Sequence, residues 1–109
     1  MKLRNLIIAV AGVALTAGVG GAASAATPWQ LHHPRRVEVN HRLNHLNREI
    51  RYERRHGEMS AAEAGRLHHR LHMIRHQERF LASRQGGHIT RYQQGRLNGE
   101  ENAVKARVG

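Results

Sequence analysis

The fold class that this sequence predicts is all-α: a signal peptide, then three short helices packed antiparallel, either as a bundle or as a helical hairpin that dimerises. Three observations predict it. Apolar residues recur at helical spacing in three segments, and no stretch alternates in the way a strand does. A turn-and-cap pattern occurs twice, 30 residues apart. Ahead of both lies a leader with the charged, apolar and small-residue zones of a secretory signal.

The leader begins with Lys2 and Arg4, runs uncharged from Leu6 to Val19, and ends in Ala23-Ser24-Ala25-Ala26. Its apolar run of about 14 residues is shorter than the roughly 20 that a membrane span needs. Residues 1–26 are therefore expected to be a signal peptide cut after Ala25 or Ala26, with the mature part periplasmic or secreted. The chain has no cysteine. The cut site thus offers no lipid attachment point, and no disulfide can form although that compartment permits them.

Residues 27–35 read as an extended arm, because Pro28 and Pro34 disfavour helix in the residues before them. Trp29 and Leu31 are the side chains that could dock such an arm on the rest. The helical domain then covers 36–109, with helices expected over about 36–55, 60–84 and 90–107. The first has the seam Val39, Leu43, Leu46 and Ile50; the second Leu67, Leu71, Ile74 and Leu81; the third Leu97, Val104 and Val108. Glu78 and Glu101 interrupt the last two seams, and an arginine from a neighbouring helix is expected to pair with each.

The helix boundaries come from the internal repeat, in which Gly57 to Leu67 aligns with Gly87 to Leu97. Gly57 and Gly87 suit the left-handed residue that closes a helix. Ser60 with Glu63, and Thr90 with Gln93, have the spacing of capping boxes. Met59 and Ile89 precede the caps, where a hydrophobic staple belongs.

Without residues 1–26 the net charge is +8, against +10 for the whole chain. Every acid is glutamate, and all ten histidines lie in the mature part. Mild acid should therefore raise the positive charge strongly, since imidazole titrates near pH ~6.5. One small domain has a modest core, and homo-oligomerisation would enlarge it.

His68, His72 and His76 recur every four residues with His69 beside them, and His41 and His45 repeat that spacing on the first helix. Pairs of imidazoles so placed can hold Cu, Ni or Zn. Arg75 and Arg79 border the longer stripe and repel cations, so the binding expected is loose, and no cofactor is required. Arg51, Arg54, Arg55, Arg66, Arg70, Arg75, Arg79 and Arg84 spread around the first two helices. Guanidinium favours phosphate and carboxylate, so Arg70, Arg75 and Arg79 are candidate anion-binding residues for an anionic surface or an acidic protein. Export argues against genomic nucleic acid. The few aromatics (Trp29, Tyr52, Phe80, Tyr92) make a poor stacking platform for single strands.

Catalysis has little to draw on. Ser60 and Ser83 are the serines left after residue 26. His72-Met73-Ile74-Arg75-His76 has the histidine spacing of a zinc-protease helix with Met73 where the general-base glutamate belongs. Met73 and Phe80 read instead as a second apolar patch. The turns also suggest the second half of a calcium-binding loop. The early ligand positions, however, fall on Tyr52, Arg54 and His56 and on Ala82, Arg84 and Gly86, none of them a carboxylate.

Ile89-Thr90-Arg91-Tyr92-Gln93 resembles the LTxxQ motif of small periplasmic helical chaperones and metal-stress sensors, and Met59 to Glu63 is a looser copy. The stretch from Gly86-Gly87-His88-Ile89-Thr90 to Leu97-Asn98-Gly99-Glu100-Glu101-Asn102 resembles a family of small exported helical proteins of Gram-negative bacteria. That resemblance implies export and a helical fold. The function expected is a non-enzymatic binding or stress-adaptor protein, with loose metal binding through the histidines. The alternative is a chaperone-like or polyanion-binding role through the arginine surface.

Overall fold

In the computed structural model, residues 25–109 are described; the expected signal peptide lies outside them up to Ser24. They divide into a short N-terminal unit ending at His32, with Gly109, and a main unit over His33–Val108. The structure is all-helical, and no strand occurs among the described residues.

The N-terminal unit holds helix α1, Pro28–His32, where an extended arm was expected. The cause is local. Thr27 and Gln30 form a reciprocal box: the Thr27 N–H donates to Gln30 Oε1 (2.7 Å) and the Gln30 N–H donates to Thr27 Oγ1 (3.2 Å). Pro28 is then the first helical residue, where its missing N–H would have had no partner anyway.

The main unit contains α2 (Pro34–Arg55), α3 (Ala61–Ser83) and α4 (Arg91–Lys105). Helix α2 starts two residues before the expected 36 for the same reason: Pro34 takes the first turn, and the restriction it imposes falls on His33, which is non-helical at φ −133°. At the other end, the Glu58 N–H donates to the Glu53 carbonyl (2.8 Å) and the Gly57 N–H to that of Arg54. Gly57, at φ +72°, supplies the left-handed residue that this helix stop needs. After α3 the corresponding bond runs from the Gly87 N–H to the Ala82 carbonyl (2.8 Å), so Gly86 (φ +66°) holds the place of Gly57, and Gly87 is left-handed as well.

Thr90 and Gln93 close both bonds of a capping box at the start of α4. Ser60 caps α3 by accepting from the Glu63 N–H (3.1 Å), but the Glu63 side chain turns away to Arg66 and Arg107. Only half of that expected box therefore forms. Ser60→Ala and Thr90→Ala should each lower stability by about 0.5–2 kcal/mol. Thr90 should be the more costly, because Gln93 loses its reciprocal geometry too. Thermal melts with both variants unchanged would show these residues do not end the helices as described.

Each of α2, α3 and α4 packs against the other two. Cross-helix bonds give the directions. Arg36, Asn40, Asn44 and Asn47 of α2 meet Glu78, Arg75 and His68 of α3 in reverse order, so that pair is antiparallel. Glu38 and Arg42 meet Asn98 and Asn102 in the same order, so α2 and α4 run parallel. The bundle is up–down–up. The expected seams form its core, with Leu81 and Val108 half-buried at the margin, and Met59 and Ile89 buried under the turns.

Three glutamates sit inside with these apolar residues: Glu53, Glu78 and Glu101. Glu78 has the arginine partner expected from a neighbouring helix, Arg36. Glu101 does not: both its carboxylate oxygens are buried with no hydrogen-bond partner. The nearby guanidiniums are engaged elsewhere. Arg42 donates to Glu38 (2.8 Å) and Asn102 (3.0 Å), and Arg75 donates to two asparagines.

Candidate functional site

The side of the bundle where α2 meets α3 carries a line of arginines and histidines set one residue past the core seams. On α3, His68, His72, Arg75 and Arg79 directly follow the buried Leu67, Leu71, Ile74 and Glu78. On α2, Asn40, Asn44, Asn47 and Arg51 directly follow the buried Val39, Leu43, Leu46 and Ile50. One residue further along a helix turns the side chain to the flank of the seam, so two antiparallel helices bring two such flanks together.

Arg75 donates through Nη1 to Asn40 Oδ1 (3.1 Å) and through Nη2 to Asn44 Oδ1 (2.8 Å). The His68 Nδ1 lies 2.8 Å from Asn47 Oδ1. With the amide oxygen accepting, Nδ1 carries the hydrogen and Nε2 the lone pair. Burial first, and then the Arg51 charge, hold the His68 pKa below the usual imidazole value. From His68 to Arg79 the stripe extends roughly 16 Å along α3 at 1.5 Å per residue.

These partners are neutral amides, so they orient the cations without cancelling their charge. Six of the eight acids are placed or paired elsewhere. Besides the three interior glutamates, Glu38 binds Arg42, Gln94 and Asn98; Glu63 binds Arg66 and Arg107; and Glu49 lies by His45. Arg48, Arg51, Arg54, Arg55, Arg70, Arg79, Arg91 and Arg96 are exposed and make no ion pair among the described residues.

The expected metal-ligand set is not brought together. His68 is half-buried on Asn47, and His69 turns to another face, beside Arg70. His72 and His76 remain side by side, ring centroids 6.0 Å apart and 21° from parallel. His41 is exposed, whereas His45 is half-buried, its Nε2 enclosed and 3.5 Å from Glu49 Oε2. Among the described residues no three histidine or acidic side chains converge as a cation site. Arg70 also separates from Arg75 and Arg79. Together with Glu63, Arg66, His69 and Arg107 it lines an open cleft of about 530 Å³.

Sequence reasoning missed Asn40, Asn44 and Asn47. Their signal is legible in retrospect, since each follows a seam residue at the same spacing of four and three. Comparison with family models, curated proteins and solved structures finds no match for this chain.

Proposed function

We propose that this chain is an exported, non-enzymatic protein that binds polyanions, polymers bearing phosphate, sulfate or carboxylate, along the α2–α3 stripe. The observation that carries this reading is Arg75, gripped at both Nη atoms by asparagine oxygens. A guanidinium held by carboxylate is satisfied; one held by amides is aimed and still charged. Arg51 and Arg79 extend that charge along the same flank, and neither makes an ion pair among the described residues. The two serines bear on the non-enzymatic part. Ser60 Oγ accepts the cap bond and Ser83 Oγ donates to the Phe80 carbonyl (2.7 Å), so each hydroxyl already has structural work.

Binding of heparin measured against salt tests the reading. Affinity should fall steeply between about 50 and 200 mM salt, and Arg51→Gln, Arg75→Gln and Arg79→Gln should each flatten the log–log salt dependence by about one. Acid should strengthen binding once it charges His68, and burial and the Arg51 charge delay that gain to a pH below the usual imidazole value. Heparin affinity indifferent to salt and to all three changes would sink the proposal. The His72–His76 pair favours a second reading, loose binding of Cu, Ni or Zn. The rings lie 6.0 Å apart on successive turns, a spacing at which two imidazoles can share one ion. Calorimetry with these ions at neutral pH, with and without His72→Gln, is the corresponding arm.

A further inference from the structure

The cleft between the first turns of α3 and the segment after α4 is a second anion site, and we propose that it takes a small organic anion: a phosphate or sulfate monoester with an apolar body. It shares no residue with the α2–α3 stripe and stands or falls independently of it.

The cleft volume of about 530 Å³ lies within the roughly 300–1,000 Å³ of small-molecule sites. Two of its cations share one acid. Glu63 Oε1 accepts from Arg66 Nη2 (2.6 Å) and Glu63 Oε2 forms an ion pair with Arg107 Nη2 (3.1 Å), so one carboxylate faces two guanidiniums that come from different parts of the chain. The Arg66 hydrogen bond and the Arg107 charge hold the Glu63 carboxyl below its usual pKa, so the brace stays ionised into mild acid. Each guanidinium has five N–H donors, and the brace uses few of them. Arg70 lies one turn beyond Arg66 and makes no ion pair among the described residues. Two braced arginines, one unengaged arginine and a single carboxylate leave net positive charge. Fixing long side chains beforehand lowers the entropy lost on binding. Leu67 and Ala62 give the same cleft an apolar wall, which inorganic phosphate does not use and an ester's organic group does.

Gly65 supplies a clean test. It lines the cleft, and a Cβ built on it meets nothing within 4 Å. Gly65→Leu therefore starts from an unobstructed Cβ and adds bulk to the cleft, and leucine is a far better helix former than glycine, so the variant should melt no lower than the parent. Titration of the protein with phenyl phosphate should show saturable one-to-one binding, about tenfold tighter than inorganic phosphate. Gly65→Leu and Arg70→Gln should each weaken it at least about tenfold and leave heparin affinity unchanged, whereas Arg75→Gln should do the reverse. Loss of phenyl phosphate binding in a Gly65→Leu protein that melts normally supports the site. No saturable binding, binding untouched by Gly65→Leu and Arg70→Gln, or heparin and phenyl phosphate weakening together in every variant, would overturn it.

Discussion

Glu101→Gln should abolish most of the stability loss that this protein undergoes between mildly acid and mildly alkaline pH. Glu101 lies on α4 between the buried Leu97 and Val104, 1% exposed, with no donor to either oxygen. Burial pushes its pKa up to about 8; Arg42 and Arg75 pull it back, while Glu38 and Glu100 add to the rise. The folded chain therefore holds this proton more tightly than the unfolded chain, whose ordinary value is 4.5. Stability from the protonated group is complete below 4.5 and is lost as pH climbs through about 8, after which the curve levels.

The limiting slope is about 1.4 kcal/mol per pH unit. Some relaxation toward Arg42 or water would reduce the total, so a loss on the order of 2–4 kcal/mol across the window is expected. Glutamine keeps the shape and cannot ionise, so the decline with rising pH should be absent from its profile. His68 acts with the opposite sign. Its folded pKa is depressed, so its contribution is present above the usual imidazole value and is lost as pH falls through the lowered one. Glu38, also lowered, acts only further into acid. Urea unfolding at about pH 5, 6.5 and 8 is the measurement. A Glu101→Gln protein as pH-sensitive as the parent would show that the interior carboxyl is not the titrating group.

What the sequence shows and what it hides divides by range. The seams at Val39, Leu43, Leu46 and Ile50 and at Leu67, Leu71 and Ile74 are legible because burial on one helical face depends on spacing alone. Thr90 and Gln93 are legible because a cap lies within a few residues of its partners. Helix α1 is written just as locally, in Thr27 and Gln30, but a proline reads as a breaker or as a first-turn residue from the same sequence, and here both stand at first-turn positions. The rest depends on register between helices, which periodicity does not contain. The histidine line was readable; that Asn47 would take His68, and that Arg75 would fall between Asn40 and Asn44, was not. The same limit explains the buried acids. An arginine partner was expected for both Glu78 and Glu101, and register gave one to Glu78 while Glu38 and Asn102 drew Arg42 from Glu101.

Arg36→Met should be among the most damaging single changes to the bundle, lowering stability by about 3–5 kcal/mol. Glu78 is 1% exposed, and Arg36 Nε donates to its Oε2 from the first turns of α2. Asn40 Nδ2, at 3.5 Å, is a poor substitute. The same guanidinium donates through Nη1 to the Gly87 carbonyl (3.1 Å), so Arg36 joins α2, α3 and the turn into α4. Removing it strands a carboxylate among apolar side chains, and for a domain of this size such a loss is a large share of the roughly 5–15 kcal/mol that holds proteins folded. The reverse change is milder, because the Arg36 side chain retains 17% exposure and can reach water when Glu78→Leu removes its partner. The double variant Arg36→Met/Glu78→Leu should recover most of the loss, since replacing both ions with apolar groups removes the desolvation penalty along with the attraction. The sum of the two single effects should thus exceed the effect of the pair by about 2–3 kcal/mol. Denaturant unfolding of the four proteins closes the cycle, with helicity followed by circular dichroism. An Arg36→Met cost below about 1 kcal/mol, in the range of a surface ion pair, would mean that Glu78 is reached by water or another donor, and that the buried pair does not hold the three helices together.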